Sequence, residues 1–494
     1  MKGILYLFPL FCLWCSTDMK KSKNSTILIA VSIVILGVIV SFLLVFSVLD
    51  NDSSPFSNAK EALAEEFSGA YPKEHKQDGR VVEVDIVASM GQLEIVKGHS
   101  TSVWSYNGTV PGPEIRVRKG DTVRINFTNN LWQPSTIHFH GIRVPNRMDG
   151  VPDITQLTVR RGESFVYEFT PKDAGTFWFH PHENSSEQLE RGLYGVLIVE
   201  DEYSEQYSQD RVWVIDDWLL EDTYQIDPYF VTQHDLAHDG RWGNVITVNS
   251  SLQEVLRAQP GERIRLRVIN VSNGRVYTTN FGSLDAKVIA VDGMYVKEAF
   301  HVNGFVLAPG NRIDVDITIP KNAAGKSFDV YDEFTRHRNI LGTIVVEGNS
   351  VVTPSFPYPQ NEQVPDWTDA VDVPVDKRYV LDARNSGTGL EWTINGETFS
   401  EHTPLVLQSG EFNKIAFENK SFRLHPMHLH GQFFKVIARN GRSVKEPYFR
   451  DTVLVGAQET VEVGLVPLDK GKWLNHCHIA EHADAGMTTS IIVR

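Results

Sequence analysis

The sequence predicts an all-β protein built from three consecutive β-sandwich domains, and three observations carry that prediction. From Arg80 onward the residues favour strands, as in Val81-Val82-Glu83-Val84-Asp85-Ile86-Val87, which is rich in β-branched residues with partial alternation. Long amphipathic helical patterns are scarce, whereas turn pairs such as Asn107-Gly108, Pro309-Gly310 and Asn440-Gly441 punctuate the chain. A repeat recurs three times, as YNGTVPGPEIRVRKGDTVRINFTN (106–129), VNSSLQEVLRAQPGERIRLRVINVS (248–272) and INGETFSEHTPLVLQSGEFNKIAFENKS (394–421). Each copy has an Asn-centred turn, an apolar strand, a Gly followed by an acidic residue, and an alternating strand ending near Asn. The turn glycines Gly120, Gly261 and Gly410 stand 141 and 149 residues apart, a period sized for a domain rather than for a solenoid.

The 494 residues have room for two to four domains, and 41% hydrophobic content supports a sizeable core. A formal net charge of -15 argues against nucleic acid as a partner and is compatible with cationic substrates. The elements follow in order. Residues 1–26 form an apolar leader, with Met19 before two lysines as an alternative start. Ile27 to Leu49 is 23 residues without a charge, long enough to span a bilayer as a transmembrane helix. Lys20, Lys21 and Lys23 precede it, which places the N-terminus in the cytoplasm and the body on the extracytoplasmic side of the cell membrane. The alternative is a long cleaved signal and a secreted body. Residues 50–78 read as a polar tether. The sandwiches then occupy 79–203, 204–350 and 375–494, with a Pro-rich linker at 351–374.

Cys12 and Cys15 lie in the leader, so Cys477 is alone in the folded part and no disulfide framework exists there. An exported lone thiol is a liability unless it is buried or bound to metal as thiolate. Its surroundings favour metal. Four His-x-His pairs occur, at 138/140, 180/182, 428/430 and 476/478, where 17 histidines in 494 residues would give roughly 0.6 by chance. A single buried histidine is usually a satisfied core residue; four pairs confined to the first and third domains are not explained that way. On an extended segment residues i and i+2 share a face, so each pair presents two imidazoles to one side. Eight converging imidazoles exceed the four ligands of one structural zinc and imply several metal ions. Cys477, between His476 and His478, points to the opposite face and can bind a different metal. Two His, one Cys thiolate and a weak axial Met make an electron-transfer copper site. Cys477, His482 and Met487 supply three of these and His425 the fourth, about 10 Å or a little more from the eight-imidazole site.

The motifs HFHG (138–141), WFHPH (178–182), HPMHLHG (425–431) and HCHIAEHADAGM (476–487) resemble those of the multicopper oxidases, the family of laccases, bilirubin oxidases, ferroxidases and bacterial copper-efflux oxidases. HGIRVPNRMDGVPDITQ (140–156) is most similar to the bacterial three-domain branch, and the resemblance covers roughly residues 80–494. It implies three cupredoxin-like Greek-key sandwiches and four copper ions. The type 1 copper would be held by His425, Cys477 and His482 with Met487 axial, the type 2 copper by His138 and His428, and the type 3 pair by His140, His180, His182, His430, His476 and His478. The implied reaction takes one electron at a time from a substrate docked near His425 or His482, passes it across Cys477, and delivers four to dioxygen to make water. Asp149 matches an acidic residue near the type 2 copper and is expected to relay protons. Several bacterial relatives carry Glu immediately after the last type 1 His, where this chain has Ala483; Glu481 and Asp484 flank it.

A small-molecule or metal-ion reductant fits this reading. The seven methionines are dispersed, so a Met-rich lid of the cuprous-oxidase kind is absent and a phenolic, laccase-like substrate is favoured. Oxidation of Cu(I), Fe(II) or Mn(II) is the runner-up, and a copper-buffering protein is the non-enzymatic alternative. A two-domain copper nitrite reductase needs far fewer histidines. His234, His238, His301, His337 and His402 show no usable ligand spacing.

Overall fold

The computed structural model describes residues 56–71 and 79–494, apart from residues 354 and 388. The leader and the expected span Ile27 to Leu49 lie outside the described residues. Among the described residues no helix is long and apolar enough to cross a membrane. Strand makes up 46% and helix 9%, which places the chain in the all-β class.

Six sheets form three two-sheet units. In the first, Val81–Leu93, Thr101–Tyr106, Thr122–Asn129 and Ser164–Phe169 make one sheet, and Glu114–Arg118, His138–His140, Gly175–His180 and Gly195–Glu200 the other. Their apolar faces meet through Ile125, Phe127, Tyr167, Phe179 and Leu197, all buried. The second and third units each pair a six-stranded with a five-stranded sheet. The sequence repeat maps onto a structural one. Its short strand lies parallel to the last strand of its unit: Glu114–Arg118 beside Gly195–Glu200, Glu254–Ala258 beside Asn339–Val346, Leu405–Leu407 beside Thr488–Val493. Its long strand lies parallel to the first: Thr122–Asn129 beside Val81–Leu93, Arg263–Asn270 beside Gln209–Trp218, Asn413–Asn419 beside Lys377–Ser386. Parallel neighbours cannot be joined by a tight hairpin, so the chain crosses between sheets in every unit.

The repeated asparagines hold this geometry. Asn107, Asn249 and Asn395 all have positive φ, a conformation Asn tolerates. Each accepts through Oδ1 a backbone N–H of the unit's first strand, from Val87 at 2.7 Å, Val214 at 2.9 Å and Val380 at 2.7 Å. Asn129, Asn270 and Asn419 end the long strands. Each donates twice from Nδ2 to backbone carbonyls and accepts the N–H two residues on.

The expected tether needs correction. Ser57–Ala70 is a helix whose Leu63, Phe67 and Ala70 are buried. These positions are spaced i, i+4 and i+7, one face of a helix of good helix formers. The Phe67 ring stacks on Trp367 at 5.2 Å and meets Phe449 edge-on at 5.1 Å. The Tyr71 hydroxyl accepts from Phe433 N at 2.8 Å. The Pro-rich linker is likewise more than a spacer, because Val364, Trp367, Ala370 and Val373 are buried and Trp367 packs on Phe412.

Candidate metal centres

The strands explain how the four motifs meet. His138–His140 pairs antiparallel with Gly175–His180, placing His138 opposite His180. His425–Leu429 pairs with Gly471–Cys477, placing Met427 opposite Cys477 and His428 opposite His476. The first and third sandwiches then bring all eight paired histidines into one pocket. His140, His180 and His478 form one triad whose nitrogens lie within 4.8 Å of one another; His182, His430 and His476 form a second, and His138, His140 and His428 a third. His430 Nε2 is 3.1 Å from His476 Nε2, and His478 Nε2 is 3.2 Å from His140 Nδ1. The rings stack across the domain boundary, His138 on His430 at 3.9 Å and His140 on His428 at 3.8 Å.

Hydrogen bonds fix the tautomers, because a carbonyl oxygen can only accept. Nδ1–H donates to a backbone carbonyl in His138 (Asp149 O, 2.7 Å), His180 (Pro181 O, 3.0 Å), His428 (Asp451 O, 2.9 Å) and His476 (Cys477 O, 2.8 Å). Each Nε2 is left with its lone pair facing the pocket. Nε2 of His138, His180, His182 and His428 and Nδ1 of His478 are buried without a hydrogen-bond partner. Packing alone does not account for this, since each such group costs about 1–3 kcal/mol. Burial pushes His476 down to about 3 and holds His140, His180, His182, His430 and His478 well below the ordinary imidazole value, so the rings are neutral donors. The donor set fits a cluster of imidazole-seeking metal ions.

Two buried aspartates brace this pocket. Asp149 Oδ2 accepts from His430 Nδ1 at 2.9 Å and Oδ1 lies 3.3 Å from His138 Nδ1. Asp451, which sequence reasoning missed, contacts His140 Nε2 at 3.2 Å and is ion-paired to Arg312 at 2.8 Å. Burial alone would raise the Asp451 carboxyl, but Arg312 and His428 hold it below the usual carboxylate range. No ligand spacing marks Asp451; it arrives because Thr452–Val455 pairs with His425–Leu429. Arg312, from the second sandwich, also donates to Thr176 O at 3.1 Å and so touches all three sandwiches. Gly141 of HFHG has φ +81°, and a side chain there would strike the Arg312–Asp451 pair.

On the other face of the Gly471–Cys477 strand lies a smaller site. Cys477 Sγ is 3.7 Å from His425 Nδ1 and 3.9 Å from His482 Nδ1, and those nitrogens are 3.3 Å apart. All three residues are fully buried, as is Met487, whose carbonyl accepts from Cys477 N at 3.0 Å. Burial pushes the Cys477 thiol far up, so a thiolate here needs a cation beside it. The outer nitrogens are capped: His425 Nε2 meets Ser421 Oγ at 2.9 Å, and His482 Nε2 donates to His238 O at 2.9 Å. The acids flanking Ala483 are engaged elsewhere. Glu481 accepts from Asn273 Nδ2 and Arg241 N, and Asp484 from Ser186. His402 bonds Ser490, while His234 and His238 stack on each other at the surface.

Comparison with known proteins agrees with this geometry. Family profiles described as multicopper oxidase match residues 88–204, 210–343 and 357–494. Multicopper oxidase MmcO of Mycobacterium tuberculosis is 28% identical over 455 residues, covering 84% of this chain and 87% of that protein. Crystal structures of multi-copper oxidases from Pseudomonas thermotolerans and Pseudomonas parafulva superpose with a TM-score of 0.74 each. They are 31% and 34% identical and cover 84% and 83% of this chain, against 99% and 100% of theirs. Three cupredoxin-type sandwiches, a buried Cys–His pair and an eight-imidazole pocket therefore have one explanation: the chain belongs to the multicopper oxidases, copper enzymes that oxidise a reductant and reduce dioxygen.

Proposed function

We propose that His425, Cys477 and His482, with Met487 beside them, would hold the type 1 copper, where single electrons from the reductant would enter. His138 and His428 hold the type 2 copper, and His140, His180, His182, His430, His476 and His478 the type 3 pair. When bound, the four coppers store single electrons and supply the four that dioxygen needs. One observation carries this reading: Cys477 lies in the smaller site while its sequence neighbours His476 and His478 lie in the larger one. The two peptide links are the shortest covalent route between the sites. Asp149 is positioned to hold and pass protons, its carboxylate resting against His138 and His430. Cys477→Ser tests the assignment. Blue absorbance and oxygen consumption should both vanish while the fold, read by circular dichroism, persists; full activity would defeat it.

For the reductant, a phenol is the reading that dispersed methionines favour. A second reading, a metal ion, is favoured by the caps on His425 and His482, which keep a substrate ring off both imidazole edges. We further propose that Ile27 to Leu49 anchors the enzyme, its body extracytoplasmic; the alternative is a secreted body. Carbonate extraction of membranes from cells making the full chain should leave the enzyme in the pellet, and recovery in the medium with the span removed supports secretion.

A further inference from the structure

We propose that Tyr71 is a positioning residue for the eight-imidazole pocket, holding the first and third sandwiches in the register that its triads need. This rests on the oxidase reading above and names what keeps the two halves of the pocket together. Tyr71 follows the helix Ser57–Ala70, ahead of the first sandwich, and belongs to none of the four motifs. It is nevertheless buried, and it touches three stretches of chain that lead to the pocket. Its hydroxyl accepts from Phe433 N at 2.8 Å and donates to Phe433 O at 3.3 Å, and Phe433 stands three residues after His430. Its ring meets Phe449 edge-on at 5.9 Å, and Phe449 stands two residues before Asp451. The Arg143 guanidinium lies over the ring at 4.5 Å, and Arg143 stands three residues after His140. Phe433 and Phe449 belong to the third sandwich and Arg143 to the first. One side chain thus spans the boundary across which His138 stacks on His430.

Each of these contacts is directional. Phe433 lies between the strands His425–Leu429 and Lys435–Arg439, and the Tyr71 hydroxyl takes the place of a sheet neighbour for both its backbone groups. Burial holds the phenol above its ordinary value, so it keeps the proton it donates. Arg143 is buried, with Nε and Nη2 donating to Asp173 at 2.9 and 2.7 Å. That fork fixes the guanidinium plane, and a cation over a ring is held more strongly when both are out of water. Asp469, of the third sandwich, lies 3.7 Å from Arg143 Nη1 and pairs with Lys172 of the first. The helix fixes Tyr71 in turn: Phe67 O accepts from Tyr71 N at 3.1 Å, and Ala70 O accepts from Asn361 Nδ2 at 2.9 Å.

The two candidate metal sites depend on this boundary differently. Each triad of the larger pocket takes histidines from both sandwiches: His140 and His180 meet His478, His182 meets His430 and His476, and His138 and His140 meet His428. In the smaller site His425, Cys477, His482 and Met487 all belong to the third sandwich. A boundary that opens slightly therefore spreads the triads and leaves the smaller site as it is.

The test uses the copper-loaded full chain with Tyr71→Phe, which removes the hydroxyl alone, and Tyr71→Leu, which also takes the ring from Arg143. Reoxidation by dioxygen after full reduction should slow about threefold in the first and about tenfold or more in the second, because small misplacements at a reacting centre are costly. The electron paramagnetic resonance signal of the type 2 copper should shift in both. The blue band should stay in place, and type 1 reduction in stopped flow should keep its rate to within about twofold. A general loss of stability would not give that split. An unchanged type 2 signal with unchanged reoxidation in Tyr71→Leu overturns the proposal, and so does loss of the blue band in step with cluster copper. Should Tyr71→Leu fail to fold, Tyr71→Phe decides alone: a shifted type 2 signal over an intact blue band supports the proposal, and an unshifted one overturns it. An unaltered enzyme that consumes no oxygen with any reductant overturns the oxidase reading, and this proposal with it.

Discussion

The cluster pocket has two halves that mirror each other across the boundary between the first and third sandwiches, and one aspartate serves each. Asp149 accepts His138 Nδ1 on its carbonyl and reaches His430 of the other sandwich with its carboxylate. Asp451 accepts His428 Nδ1 on its carbonyl and reaches His140 in the same crossed fashion. The mirror fails in what lies behind each carboxylate. Arg312 sits against Asp451, with Asp292 bonded in turn to Asp451 N and Arg312 N. Among the described residues, the ion-pair partners of Asp149 are His138 and His430 alone. The same side chain in the same relation to two imidazoles is thus a locked strut in one half and an unlocked group in the other. The proton-relay role proposed above belongs to the second.

Removing the lock is the most damaging way to break this comparison. Arg312→Met leaves Asp451 and Asp292 buried without their cation and frees Thr176 O. Removing one partner of a buried pair costs about 3–5 kcal/mol. The expected outcome is a large fall in thermal midpoint and loss of cluster copper. The type 1 copper should stay, because its ligands all belong to the third sandwich. Metal analysis should fall from four coppers per chain towards one while the blue band persists. Retention of all four at unchanged stability would mean that Arg312 braces nothing.

Much of this site was legible in the sequence, and the illegible part has a common physical cause. The histidine pairs could be read because strand periodicity puts i and i+2 on one face, and ligand chemistry is written in residue types. Cys477 could be read because its neighbours' direction forces its own. The three-sandwich plan could be read because Gly120, Gly261 and Gly410 mark turns with positive φ in every copy. Asp451, Arg312 and the carbonyl of His238 could not. Each acts through a tertiary contact with no fixed sequence offset, and one of them acts through a backbone atom that any residue would supply. The docked helix Ser57–Ala70 was missed for a different reason. Its apolar stripe is short, and the polar residues between Leu63 and Phe67 read as a solvated linker until Trp367 and Phe449 are seen to receive it.

The subtler way to sharpen the comparison is to treat both aspartates alike. Asp149→Asn and Asp451→Asn each keep size and hydrogen-bonding capacity but remove the carboxylate. Asp451→Asn takes the anion from beside Arg312, so its effect should be one of stability and copper content. Asp149→Asn disturbs no arginine, so the protein should load copper and melt normally. Its type 1 copper should be reduced by substrate at close to the unaltered rate in stopped flow, because that site lies on the other face of the Gly471–Cys477 strand. Reoxidation by dioxygen, which consumes protons, should slow by roughly tenfold to a hundredfold, at the low end of what a positioned acid contributes. The two variants would then fail in different measurements. If Asp149→Asn instead lost copper and stability as Asp451→Asn does, both carboxylates would be struts. The protons would then have to reach the cluster without either of them.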